Sequence, residues 1–233
     1  MHELYPDPSF NDRLINPQEV PWTYSFRVTT PPTGAPVTLA EFKAFTRLDG
    51  VDEDGLLEMF LQAAWQAAEE YMGRAIMQQT VIMKMDFFPG IVALLPTYLA
   101  TSAMPVQLVR PPLVAVTAVR TLYEDGTTLE NWDLANAYWL IGDDARFVIR
   151  KGSVPPINVE RYRGGFEIEY VCGYGSSGAT LAQQRAAVPA SIKLGVMTWA
   201  AAMYSARGMA RGGASEPPPE AKYLLDPYKF VRI

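Results

Sequence analysis

The chain has 233 residues, 49% hydrophobic and 19% charged, with a formal net charge of −5. This composition supplies enough apolar material for a core and excludes wholesale disorder, and the length suits one domain with appendages or two small ones. No apolar run reaches the roughly 20 residues of a bilayer-crossing helix. The single cysteine, Cys172, excludes an internal disulfide framework, and no basic excess exists to drive tight phosphate binding by counterion release.

Residues 1–36 read as an extended arm. Prolines at 6, 8, 17, 21, 31, 32 and 36 forbid long regular elements. The aromatics Tyr5, Phe10, Trp22, Tyr24 and Phe26 suit a segment lying on another surface, its own or a neighbour's. The stretch Met1–Asp7 lacks a basic region followed by an apolar one, so no secretory signal is expected.

Thr38-Leu39-Ala40-Glu41 fits a capping box and predicts a helix from Thr38 to Arg47 or Leu48, stopped at Asp49-Gly50. Asp52-Glu53-Asp54 opens a second helix over 54–72, where negative charge complements the N-terminal dipole. Its apolar positions, from Leu56 and Leu57 through Phe60, Leu61, Ala64, Trp65 and Ala68 to Met72, recur at helical spacing. Gly73 suits a left-handed cap.

Residues 76–178 read as β. Strands are predicted at Gln79–Phe88, Ile91–Leu95, Val106–Val109, Val114–Tyr123, Tyr138–Ile141, Arg146–Arg150, Asn158–Tyr162 and Phe166–Cys172. Glu124-Asp125-Gly126-Thr127 carries a hairpin signal. Short strands punctuated by Gly and Pro predict a small antiparallel sandwich or barrel. Gly173 to Gly178 then reads as a loop leading to the last long helix, Pro189–Arg207, which is apolar nearly all round and so buried on more than one side. Gly208 to Pro219 breaks the helix. Residues 211–233 form a tail whose large apolar residues either dock on a partner or fold back on the chain's own domain.

Little in this sequence points to catalysis or metal binding. The one histidine, His2, lies in the arm, which leaves no material for a histidine-based nucleophilic site or zinc centre. Cys172 closes an alternating strand and reads as a small buried hydrophobe. The carboxylate pairs Asp143-Asp144 and Glu167/Glu169 read as solvated surface. Gly173–Gly178 lacks the Lys-Ser/Thr ending of a phosphate loop. No catalytic, cofactor or metal residue is therefore assigned. Arg207 and Arg211, near the end of the last helix, are the candidate contacts to DNA.

The order of these pieces resembles the head–tail connector, or adaptor, proteins of long-tailed bacteriophages over residues 37–233. The resemblance rests on Thr38-Leu39-Ala40-Glu41-Phe42-Lys43, Arg47-Leu48-Asp49, Ala68-Glu69-Glu70-Tyr71-Met72-Gly73-Arg74-Ala75 and Gln78-Gln79-Thr80. It continues through Arg110-Pro111-Pro112-Leu113, Tyr123-Glu124-Asp125-Gly126, Tyr170-Val171-Cys172-Gly173-Tyr174-Gly175, Val188-Pro189-Ala190 and Leu224-Leu225-Asp226-Pro227-Tyr228. The arm and the segment 96–105 depart from the family pattern.

The resemblance implies an α+β fold in which a helical connector domain, 37–75 plus 188–210, carries an inserted β domain. It implies a homo-oligomeric ring of about twelve copies under the portal protein, located in the virion neck and synthesised in the bacterial cytoplasm. The ring would contact a stopper or tail-terminator protein and let double-stranded DNA through, with no membrane and no cofactor. A mildly acidic channel wall suits DNA that must slide without sticking. Carried onto this chain, portal binding falls on Tyr223, Leu224, Leu225, Pro227 and Tyr228. The rival readings are another neck ring, a stopper or tail terminator, and a β-sandwich that stacks sugars on Trp132, Tyr138 and Trp139.

Overall fold

The computed structural model describes residues 24–86, 106–134, 138–141, 146–149, 164–207 and 216–230. In chain order the strands and helices are β1 (Tyr24–Thr30), α1 (Leu39–Thr46), α2 (Asp54–Met72), β2 (Gln79–Met85), β3 (Val106–Gln107), β4 (Leu113–Leu122) and β5 (Thr128–Asn131). They continue with β6 (Tyr138–Ile141), β7 (Arg146–Ile149), β8 (Phe166–Cys172), α3 (Leu181–Ala187), α4 (Ala190–Ser205) and α5 (Pro219–Leu225), which runs into a 3-10 turn at Asp226–Tyr228. The fold is α+β, with helices from both ends of the chain flanking a β region, as the sequence predicts. The expected strands Ile91–Leu95 and Asn158–Tyr162, and the segment 96–105, lie outside the described residues.

Local chemistry accounts for the helix ends. The Thr38 hydroxyl accepts from the Glu41 amide at 3.2 Å, and the Glu41 carboxylate accepts from the Thr38 amide at 2.7 Å. Both orphan donors are thereby satisfied. Gly73 takes φ 65° and closes α2 with its amide bonded to the Glu69 and Glu70 carbonyls. The short helix α3 is not anticipated from apolar periodicity. It opens on a second capping box, Thr180 with Gln183, in a stretch that otherwise reads as loop.

Five antiparallel strands in the order β1-β2-β8-β4-β5 make the main sheet, and β3-β7-β6 make a second. Val81, Met83, Met85, Val116, Val119, Ile168 and Tyr170 form its core face, closed by Leu108 and Val109. The opposite face carries the carboxylates that the sequence places in solvent. There the structure differs. Glu167 is only 6% exposed. It bonds Arg120 at 2.5 Å and Lys84 at 3.2 Å, in a row set by the registers Lys84↔Glu167 and Arg120↔Glu167. Glu169 joins through Arg120 at 2.7 Å. Alternation puts these carboxylates off the core face, but neighbouring long side chains cover them. Asp143 and Asp144 lie outside the described residues.

In the helical layer, α1, α2, α4 and α5 share a core of Phe42, Leu57, Leu61, Trp65, Met72, Ile192, Val196, Trp199 and Leu225. Helix α4 packs against α2 on one side and α5 on another, which explains its nearly uniform apolarity.

One carboxylate joins the two layers. Glu69, 6% exposed on α2, accepts from the Ile76 amide at 2.7 Å and from the Trp65 indole N–H at 3.1 Å. Arg110 reaches it at 3.3 Å and also pairs with Glu70. Around this point the Ala75 amide donates to the Pro111 carbonyl, the Gly173 amide to Pro112, and the Tyr174 amide to Ile76. Three chain segments thus converge on the end of α2. Burial pushes the Glu69 carboxyl above its ordinary value of 4.5, while the Ile76 amide and Arg110 pull the other way.

A carboxyl raised on folding binds more protons in the folded state than in the unfolded one. Its stabilising contribution is therefore complete below the unfolded value and is lost as pH rises through the folded one. Glu69→Gln removes this dependence. As pH rises above 4.5, the melting temperature of the parent protein should fall relative to that of the Gln variant, as followed by circular dichroism. A difference that stays constant with pH would show that Glu69 does not titrate in this way.

Candidate interaction surface

The tail is docked on the chain's own helical layer. Ala221 and Leu225 are fully buried, and Leu225 fits against Gly195 of α4. A Cβ at position 195 would lie 2.8 Å from Leu225 Cδ2, so any larger residue there would displace the Leu225 side chain. Beyond α5 the chain is tied to the end of α2. The Tyr71 hydroxyl donates to the Asp226 carboxylate, which holds the phenol up at about 12. The Phe230 amide donates to the Met72 carbonyl at 2.7 Å, and Arg74 Nε to the Tyr228 carbonyl at 2.5 Å. Lys229 lies over the Tyr71 ring at 4.5 Å.

Of the two outcomes open to the tail, fold-back is what the structure contains through residue 230. The five portal candidates accordingly separate. Leu225 is spent on the internal core, and Leu224 and Tyr228 are half-buried. Pro227 is exposed, and Tyr223, on the outer face of α5, is 82% exposed. The sequence reading gives no sign of this split, because only the contact with Gly195 decides which face of α5 turns inward.

The exposed apolar residues Phe45 on α1, Val51 between α1 and α2, and Met59 on α2 are further candidates that the sequence reading passes over. Val51 is 74% exposed and Met59 65%. At helical spacing Met59 is one more apolar residue of α2, and only packing shows it facing out. Single exposed apolar residues are ordinary on a monomer, so these three matter only as part of a larger covered face.

Arg207 is engaged within the fold. It pairs with Glu53 at 2.9 Å and stacks over Tyr204 at 4.2 Å, and the Tyr204 hydroxyl donates to the same carboxylate. These bonds hold the Glu53 carboxyl below its ordinary range. The clamp fixes the start of α2 to the end of the antiparallel α4 and leaves the Arg207 side chain 46% exposed. Arg211 lies outside the described residues.

The features that could suggest chemistry are built into the core. Cys172 is buried, which pushes its thiol up to about 12 and leaves it a poor nucleophile. Among the described residues no group of three or more His, Cys, Asp or Glu side chains is placed to hold a metal ion. Trp132 is half-buried and packs against the β core. The side chains of Tyr138 and Trp139 lie outside the description.

Searches of protein-family models and of curated proteins find no match to this chain. The solved structures do. A chain from the neck of an empty gene transfer agent particle, computed with C6 symmetry, superposes with a TM-score of 0.65 at 23% identity. The match covers 90% of this chain and 97% of that one. A chain from the virion of the native gene transfer agent particle gives 0.64 at 23%, covering 89% and 96%. Another, from the native neck computed with C12 symmetry, gives 0.61 at 22%, covering 90% and 97%. This protein has the fold of those neck and virion chains.

The contact between Gly195 and Leu225 is directly testable. Gly195→Val should cost about 1–3 kcal/mol by overpacking the α4–α5 contact. Urea denaturation should show it, and protease sensitivity should rise across residues 216–230. An unchanged midpoint would mean that α5 contributes little to the core.

Proposed function

We propose that this chain is a structural, non-enzymatic neck protein of a phage-like particle. In this reading it is a head-to-tail adaptor that forms a ring under the portal and extends the DNA channel toward the next neck protein. The observation that carries the reading is the fold match to neck chains of gene transfer agent particles across nearly the full length of both partners. A likeness confined to one domain would leave the appendages unexplained, whereas this one includes helices from both ends of the chain. The C6 and C12 symmetries with which those necks were computed are consistent with a cyclic arrangement in which one surface of each subunit meets a different surface of the next.

The net charge of −5 also fits. A channel component must not grip the DNA that passes it, and an acidic wall repels phosphate.

The portal-binding assignment is refined to the outer face of α5. Tyr223 offers a large aromatic ring with its surface free, the type of residue that dominates binding at protein interfaces. Deleting residues 221–233 would remove buried Ala221 and Leu225 and confuse unfolding with loss of binding. Tyr223→Glu avoids that. It should leave the melting temperature unchanged, because the side chain is exposed. It should weaken binding to the particle's purified portal ring at least about tenfold, measured by surface plasmon resonance. Unaltered binding would move the portal contact off α5. No rings by electron microscopy, alone or on the portal, would sink the adaptor reading.

A further inference from the structure

The first strand stands apart from the rest of the sheet. Six of the seven residues of β1 are exposed, and only Val28 packs against the sheet core. Its partner β2 is the reverse, with five of seven residues buried. The two are joined by a backbone ladder from Tyr24↔Met85 to Thr30↔Thr80. The side-chain ties of β1 include Thr29 Oγ1 to the Thr80 carbonyl at 3.2 Å and the stacking of Arg110 over Phe26 at 5.4 Å. Strand β2 needs a strand on that edge, because an open row of amides and carbonyls next to a buried strand is costly and invites pairing. Nothing in these contacts requires that strand to come from the same chain.

The connection on the far side of β1 is built as a hinge. Pro31 and Pro32 follow directly and cannot extend the ladder. The register of β1 already shifts between Val28 and Thr30, next to them. The chain is held again from Gly34, where a Cβ would come within 2.9 Å of Leu181 on α3. The Arg185 guanidinium then donates to the Ala35 carbonyl at 2.9 Å, and Pro36 and Val37 are buried. Pro31 to Thr33 is therefore a short free link, able to span about 10 Å, between an anchored helical layer and a strand about 23 Å long.

We propose that β1 is an exchanged strand. In the assembled ring it leaves its own subunit at Pro31 and adds to β2 of the neighbouring copy, in the register seen here. The inference rests on the ring proposed above, and it names the device that links adjacent subunits. Exchange replaces each contact of β1 by the identical contact in the next subunit, so it costs little in bonding. In a closed ring every subunit gives one strand and receives one, and no β2 edge is left open. The neighbour's tethering in the ring raises the local concentration of its edge, which lowers the entropic cost of exchange.

Ser25 and Lys84 are register partners on the face of the sheet away from its core. Cys172 is buried and does not compete for oxidation. Ser25→Cys and Lys84→Cys proteins, each with its own affinity tag, are co-expressed, assembled on the purified portal ring and oxidised. With exchange, a disulfide-linked dimer carrying both tags forms, and the Ser25→Cys/Lys84→Cys double variant yields covalent chains longer than dimers on a non-reducing gel. Rings that form normally but give only internally bridged monomers from the double variant would overturn exchange and leave the ring reading standing. Absence of any ring on the portal, with internally bridged monomers alone, would overturn both.

Discussion

The structure turns on a charge that has been taken out of water. Glu69 sits at the end of α2, where the helical layer meets the β region, and a carboxylate there is tolerable only with a full set of partners. The Ile76 amide, the Trp65 indole and Arg110 supply them. Each partner lies on a different part of the fold. Trp65 belongs to α2 itself, Ile76 to the exit toward β2, and Arg110 to the entrance of β4. Removing one partner of such a buried pair costs on the order of 3–5 kcal/mol, a large share of the stability of a domain. Apolar contacts hold each layer together, but they are not directional. The convergence on Glu69 fixes how the β region sits on the helices.

The end of the chain is held by a related combination of close packing and polar ties. Helix α5 is too short to be stable alone and gains its stability from the seam it fills, with Leu225 against Gly195. Tyr71, Arg74 and the Met72 carbonyl then secure the residues beyond it. The tail is thus part of the fold and presents an outer face, so a partner that binds it meets a preformed surface centred on Tyr223 and need not order a free peptide. Preorganisation of this kind lowers the entropic cost of association. The two ends of the chain play contrasting parts. The C-terminal segment is locked into the core by its apolar side chains, whereas β1 is attached mainly by its backbone.

Much of the architecture is determined by the sequence alone. The capping box at Thr38–Glu41, the helical spacing from Leu56 to Met72, the glycine cap at 73 and the alternation in Phe166–Cys172 are local patterns. Local patterns specify local structure because they act through the nearest hydrogen bonds and through which face is apolar. The α+β order follows from them. The short helix α3 was equally legible, since Thr180 and Gln183 spell the same capping signal as Thr38 and Glu41. A glycine loop precedes it, and Leu181 is its one large apolar residue, so it shows no apolar periodicity.

What tertiary structure alone decided concerns partners far apart in the chain. Glu167 alternates as a surface residue should, yet its burial depends on Arg120 and Lys84 lying across two strands. Arg207 looks free in the sequence and is clamped by Glu53, 154 positions away. The apolar residues of the tail are equivalent in composition, and only the gap left by Gly195 selects Leu225 to enter the core while Tyr223 faces out. Sequence patterns fix which groups exist and which local element carries them. Which surface each element covers depends on non-local contacts whose geometry no local pattern encodes.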